Sequence, residues 1–350
     1  MKKHLTIWLL SIALLLGLAP EARAAERYAD VPETHWAASD VARATELGLF
    51  QGVGGGKFGL GRPISRAAFA TALTRLFGWE EVRPGQPSYT DVSPDKWYYA
   101  AVETLLANDA VAASSHTFRP DDELTRGEMA SMLVRGLGYT SLAGGAEGYS
   151  VPFTDVNVNR GFITVAYDLG IMGGTGTNRF EPDAFATREQ AAAVLVRVRD
   201  QLNASSEKLD AAGDYRLITI STPIAQAGDE MPITPLEPLP ELYAALRRMK
   251  NSGDDMSKTA LRLMAGGVRT ITDAGGAPVA GSELISAKEV QKVLERKDVT
   301  ASYSDRYESA YCIYEPNAYQ TATVWYQSDE SMAAKLQLAR LFGVTRYVLE

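Results

Sequence analysis

A chain of 350 residues has room for two or three domains with real cores. Its 46% hydrophobic and 22% charged residues are the balance of an ordinary soluble protein. A formal charge of −8 without basic runs argues against nucleic acid as a partner, and a single cysteine excludes an intrachain disulfide.

Met1 to Ala24 has the layout of a secretory signal: Lys2 and Lys3, an apolar run from Leu5 to Leu18, and the small-x-small site Ala22-Arg23-Ala24. The apolar run is shorter than the roughly 20 residues that span a bilayer, which weighs against the alternative of an uncleaved anchor. Three positive side chains against Glu21 leave with this segment, so the remainder stands at −10. No later stretch reaches membrane-spanning length, and the mature chain is expected outside the cell.

Three copies of one pattern follow. An aromatic-x-Asp-Val start recurs at Tyr28-Ala29-Asp30-Val31, Tyr89-Thr90-Asp91-Val92 and Phe153-Thr154-Asp155-Val156. Each leads to an aromatic (Trp36, Trp97 and, more loosely, Phe162) and a first helix, expected over 37–47, 98–107 and 162–169. Gly48, Asn108-Asp109 and Gly170 are placed to end these helices in a left-handed conformation. Further on, Phe58, Phe118 and Phe180 each lie seven residues before a hydroxyl (Ser65, Thr125, Thr187), and an arginine follows at once (Arg66, Arg126, Arg188). Thr125 with Glu128 spells a capping box, and Met129, Met132, Leu133 and Leu137 recur at helical spacing. Each repeat is therefore helix, loop, helix. Neither helix buries its apolar face alone, so the three units should pack on one another.

The pattern resembles the S-layer homology (SLH) family. Its aromatic-x-Asp-Val…Trp start, Gly-Ile-x-x-Gly turn, Phe-x-Pro loop and Ile-Thr-Arg-Ala-Glu helix entry recur here. Examples are Gly170-Ile171-Met172-Gly173-Gly174, Phe118-Arg119-Pro120, Phe180-Glu181-Pro182 and Leu124-Thr125-Arg126-Gly127-Glu128. The resemblance implies an all-α pseudo-threefold bundle of three helix-loop-helix repeats. It also implies a partner, an anionic, pyruvylated secondary cell-wall polysaccharide held in grooves between repeats. Arg66, Arg126 and Arg188 are the implied binders, with Trp36, Trp97, Asp30, Asp91 and Asp155 as further polysaccharide-binding candidates. Guanidinium suits a carboxylate through two parallel hydrogen bonds, and unpaired N–H groups at a helix start also favour anions. Plainer roles stand beside these: an arginine paired with a neighbouring carboxylate, a tryptophan packed in a core, an aspartate capping the turn that follows it. Ala68 and Glu189-Gln190 depart from the family's Ala-Glu, and the third repeat has no tryptophan.

The expected division is signal 1–24, repeats 25–87, 88–151 and 152–201, a polar linker 202–214, and an α/β module 215–350. In the module, strands are expected at 215–221, 268–272, 309–314, 321–326 and 344–349, and helices at 241–249, 286–296 and 328–342. A long loop marked by Pro223, Pro232, Pro235, Pro238 and Pro240 separates the first strand from the first helix. From about Gly281 the residues resemble the tail of family 18 glycoside hydrolases: Ile285-Ser286-Ala287-Lys288-Glu289-Val290, then Thr323-Val324-Trp325-Tyr326-Gln327-Ser328. The family's Asp-x-x-Asp-x-Asp-x-Glu strand is nowhere in the chain. Residues 215 to 350 are also too few for an eightfold barrel, which takes about 200 or more.

His35 and His116 are the only histidines after Met1–Ala24, so a serine–histidine triad or a histidine-rich metal site is not expected, nor is a cofactor. Asp254, Asp255, Glu308, Glu315, Asp329 and Glu330 are the module's candidate acids for two-carboxylate chemistry, which needs a pair about 5 to 9.5 Å apart. Cys312 is expected to be buried and inert. Three readings stay open. One is a wall-anchored binding protein with a non-catalytic tail. The second is a wall-associated glycoside hydrolase acting through an unrecognised site. The third is a self-assembling S-layer subunit.

Overall fold

The computed structural model describes residues 28–112, 116–209, 216–218, 238–304 and 307–349. The expected signal segment and the proline-marked loop up to residue 237 lie outside them. The chain divides after Asn203 into two compact units, the first helical and the second α/β.

In the first unit the repeats supply α1 (Ala38–Glu46) and α2 (Arg66–Phe77), α3 (Tyr99–Ala107) and α4 (Arg126–Gly136), then α6 (Arg160–Asp168) and α7 (Arg188–Asn203). Between α4 and α6 lies α5 (Thr140–Ala146), a short helix that no periodicity announced. The second helix of each repeat starts on its hydroxyl. Ser65 Oγ accepts from the Ala68 N–H and Thr187 Oγ1 from the Gln190 N–H, while Thr125 and Glu128 form the expected capping box. The first helices end as expected, with Gly48, Asp109 and Gly170 at φ 69°, 55° and 69°. Met129, Met132, Leu133 and Leu137 are all buried, with Phe69, Leu73, Leu195 and Val198 in the same unit's interior.

The segments just ahead of the three hydroxyls meet in a closed ring of backbone hydrogen bonds. Ile64 N–H donates to the Ala186 carbonyl (2.9 Å), Ala186 N–H to Leu124 (2.8 Å) and Leu124 N–H to Ile64 (2.9 Å). All three side chains are buried, so each bond satisfies groups that water does not reach.

The second unit holds two sheets. β1 (Glu207–Leu209), β9 (Arg346–Leu349), β3 (Thr259–Leu263) and β2 (Arg216–Ile218) lie side by side in that order, all parallel. β5 (Glu283–Ile285), β4 (Gly267–Asp273), β8 (Gln320–Tyr326), β7 (Ser309–Asn317) and β6 (Thr300–Ser304) form an antiparallel sheet. α9 (Ala287–Leu294) opens on the expected Ser286–Glu289 capping box and packs Val290 and Val293 on that sheet against Cys312, Ala322 and Val324. α8 (Leu239–Asn251) and α10 (Asp329–Leu341) complete the unit; Tyr243 of α8 meets Phe342, just past α10, with ring centroids 5.8 Å apart.

Two expectations are corrected. The polar stretch 202–214 is not wholly a linker, because α7 runs to Asn203 and Glu207–Leu209 pairs with β9. Pro238 and Pro240 do not belong to a loop but open α8, where a missing N–H costs nothing.

Candidate functional site

The three arginines that follow the capping hydroxyls all cross to a neighbouring repeat. Arg66 Nε donates to the Phe118 carbonyl (2.8 Å), Arg126 Nε to Phe180 (2.9 Å) and Arg188 Nε to Phe58 (2.9 Å). Each guanidinium lies over the ring of the same phenylalanine, at 5.0, 4.8 and 5.0 Å from its centroid. Arg126 Nη2 also donates to Gly173 and Arg188 Nη2 to Gln51, both carbonyls at 2.8 Å. The donors thus run from the first repeat to the second, the second to the third and the third back to the first. Burial pushes all three guanidinium groups down from their ordinary pKa, against nearby carboxylates that hold them up.

The helix-start N–H groups, expected to be free for an anion, are taken. Arg126 N–H donates to Ala184 and Gly127 N–H to Pro182. Arg66 and Ala67 do the same to Asp122 and Pro120, and Arg188 N–H donates to Arg62. The loop of the next repeat caps each helix, so any anion must be met by side chains.

Asp30, Asp91 and Asp155 brace those loops from within their own repeats. Asp155 Oδ1 and Oδ2 accept from the Phe180 and Glu181 N–H groups, and Asp91 from Phe118 and Arg119. Asp30 accepts from Phe58, Gly59 and Leu60. Those N–H groups, joined by Arg179, hold the Asp155 carboxyl below the usual carboxylate range although burial opposes them. At Asp30 burial opposes most strongly, and three N–H groups outweigh it. The aspartates therefore cap a loop some 25 to 30 residues on rather than the turn that follows them. The middle residue of each loop is left-handed: Gly59, Arg119 and Glu181 at φ 88°, 58° and 57°.

Trp36 and Trp97 stand on the surface, 61% and 67% exposed, which sets aside the core-packing alternative. Their nearest ring neighbours are His35 and Tyr98. Phe162, in the third repeat, lies instead under the Arg135 guanidinium, 4.6 Å from its ring centre. His35 Nδ1 accepts from the Ala37 N–H just ahead of α1.

The family described as "S-layer homology domain" matches residues 27–70, 88–130 and 152–192. The chain carries three S-layer homology domains. It is accordingly a cell-surface protein. The S-layer protein sap of Bacillus anthracis is 25% identical over 207 residues, which are 58% of this chain and 25% of that protein. A surface layer protein of Brevibacillus choshinensis is 34% identical over 135 residues, 37% of this chain and 12% of that one. Exoglucanase XynX of Acetivibrio thermocellus is 25% identical over 174 residues, covering 48% and 16%. The chain spans about a quarter or less of the length of these relatives. Similar solved structures include the spore cortex-lytic enzyme SleL of Bacillus cereus, with TM-score 0.31 at 16% identity over 39% of this chain and 31% of that one. A family GH18 chitinase of Cycas revoluta gives 0.26 at 22% identity, over 30% and 32%.

Beyond the S-layer homology domains, three of the candidate acids of the C-terminal module, Asp254, Asp255 and Glu308, have structural partners, and Glu315 offers its carbonyl to Arg296. Asp254 pairs with Arg216 and Asp255 caps Ser257. Glu308 accepts from the Tyr303 hydroxyl, while Asp329 and Glu330 sit in the first turn of α10. No group of three or more metal-ligating side chains occurs among the described residues.

Proposed function

We propose that the chain is held non-covalently at the bacterial wall by the seams between its three S-layer homology domains, each gripping an anionic, pyruvylated secondary wall polysaccharide through its arginine. The observation that carries this reading is the fixing of the guanidinium groups. Nε of each is spent on a phenylalanine carbonyl of the next repeat, which orients the terminal nitrogens in advance. A preset planar fork suits a carboxylate. Exposed Trp36 and Trp97 offer flat faces to sugar rings beside it. A net charge of −8 does not oppose this, since screening removes it beyond roughly 8 Å. The cyclic order of the crossing bonds is what a pseudo-threefold bundle requires, and such a bundle gives three related grooves. On this reading Asp30, Asp91 and Asp155 position the loops and touch no sugar.

The C-terminal module is read as non-catalytic, since the family 18 acid motif has no counterpart in the sequence. Turnover of chito-oligosaccharide or peptidoglycan by the full chain would overturn that part alone.

Pelleting with purified sacculi tests the anchoring. Binding should be lost when the pyruvate groups are removed. Arg126→Lys, which keeps the charge and gives up the fork, should weaken it by about 2 kcal/mol in a chain that still folds by circular dichroism. Equal pelleting before and after pyruvate removal sinks the reading.

A further inference from the structure

Among the described residues the second unit has four sheet edges, and three of them are blunted. β1, β2 and β5 are three residues long, and each carries a charged side chain. Glu207 pairs with Arg346, Arg216 with Asp254 and Glu283 with Arg269. Short, charged edges keep a sheet from growing onto a neighbouring chain. β6 is different. Its five residues, Thr300-Ala301-Ser302-Tyr303-Ser304, include no charge and no proline. Its one partner strand among the described residues is β7. Thr300, Ala301 and Ser302 are all exposed, so this edge is open.

The strand is also complementary to itself. If a second copy lies antiparallel to it with Ser302 at the two-fold axis, Thr300 comes opposite Ser304, hydroxyl to hydroxyl, and Ala301 comes opposite Tyr303. Ala301 and Tyr303 share the face of their β7 neighbours Cys312 and Ala310, so the small residue leaves room for the ring. The ends match in charge. Asp298 is held by Arg296 at 2.7 Å, which leaves exposed Lys297 as the charge ahead of the strand. Glu308 stands just past its other end. Antiparallel pairing brings Lys297 of each copy near Glu308 of the other, whereas parallel pairing sets Lys297 against Lys297.

We propose that β6 is a docking edge for a second copy of this chain, the two strands pairing antiparallel about Ser302 so that two antiparallel sheets become one. The joined sheet ends on the blunted β5 at both sides, so growth stops at two copies. This inference is independent of the wall-glycan reading. Two five-residue strands bury less than the roughly 1,200 Å² of a stable complex. The dimer is therefore weak, and it forms where chains are crowded, as on a shared surface.

Sedimentation equilibrium of the full chain at concentrations up to about 1 mM is the test. A reversible monomer–dimer equilibrium is expected. Ser302→Lys and Ser302→Glu each place like charges at the axis and should weaken the dimer at least tenfold. Mixed in equal amounts, the two variants should recover it, which also shows that both are folded. Tyr319→Lys, in the exposed turn between β7 and β8, should dimerise like the unaltered chain. A monomer at every concentration would leave the edge to an extended segment of some other protein and overturns the proposal. Species larger than a dimer, or undiminished pairing of Ser302→Lys alone, overturn it as well.

Discussion

The peptide unit at Phe180 is gripped from two sides, its N–H by Asp155 and, through the adjoining carbonyl, by Arg126. Loss of either side chain leaves a polar group of a buried loop without its partner, which costs about 1–3 kcal/mol. That is why the arginine is better probed by lysine than by alanine. The sequence announced the phenylalanine and the arginine at constant spacing but not the bond between them, because each arginine's partner belongs to another repeat. The left-handed backbone at Arg119 and Glu181 was equally hidden, since only the first repeat writes glycine there. Cys312 was legible, and it carries a pH prediction. Burial in the sheet pushes its thiol up to about 11 from an ordinary value of 9.0. The folded chain then binds more protons than the unfolded one between those values. The neutral thiol's contribution to stability is whole below about pH 9 and lost as pH rises through 11. Cys312→Ala should flatten that part of the stability–pH curve measured by denaturant unfolding, and thiol reagents should label the native chain only through unfolding. Rapid labelling at neutral pH would contradict the burial.

Among elements, those with local signals were found in the sequence: the Thr125–Glu128 and Ser286–Glu289 boxes, α10 from Ser328, the β7–β8 hairpin. Those whose reason for existing lies far away were not. β1 is three residues of a polar stretch and is a strand only because β9, at the far end of the chain, pairs with it. β3, β5 and β6 are short and gave no alternation worth naming. α5 is rich in small residues, and its place is fixed by close approach to α6, where a Cβ added at Gly161 would lie 1.9 Å from the Ala143 carbonyl oxygen. Gly161→Ala must therefore part the two helices. We expect a loss of about 3 kcal/mol, read as a lower midpoint in urea. An unchanged midpoint would mean that α5 is free to move away.

For the whole helical unit, no repeat completes its own interior polar groups. Ile64, Leu124 and Ala186 each need the other two, and each arginine needs the next loop. Deleting residues 152–203 strips Arg126 of both carbonyl partners and leaves the Ile64 N–H and Leu124 carbonyl unmet. The shortened chain should lose cooperative thermal unfolding by calorimetry, and one sharp transition for the two remaining repeats would refute that mutual dependence. The loop-to-helix handover runs in a circle, whereas the polypeptide has a beginning and an end. Helix α1 packs on α7, with Arg43 and Asp200 3.9 Å apart at the surface, so the point where covalent order breaks is itself a packed junction. Which repeat comes first is then a matter of genetics rather than of mechanics. The unit could be cut ahead of Tyr89 and rejoined across the old ends, and the same circle of crossing bonds should re-form.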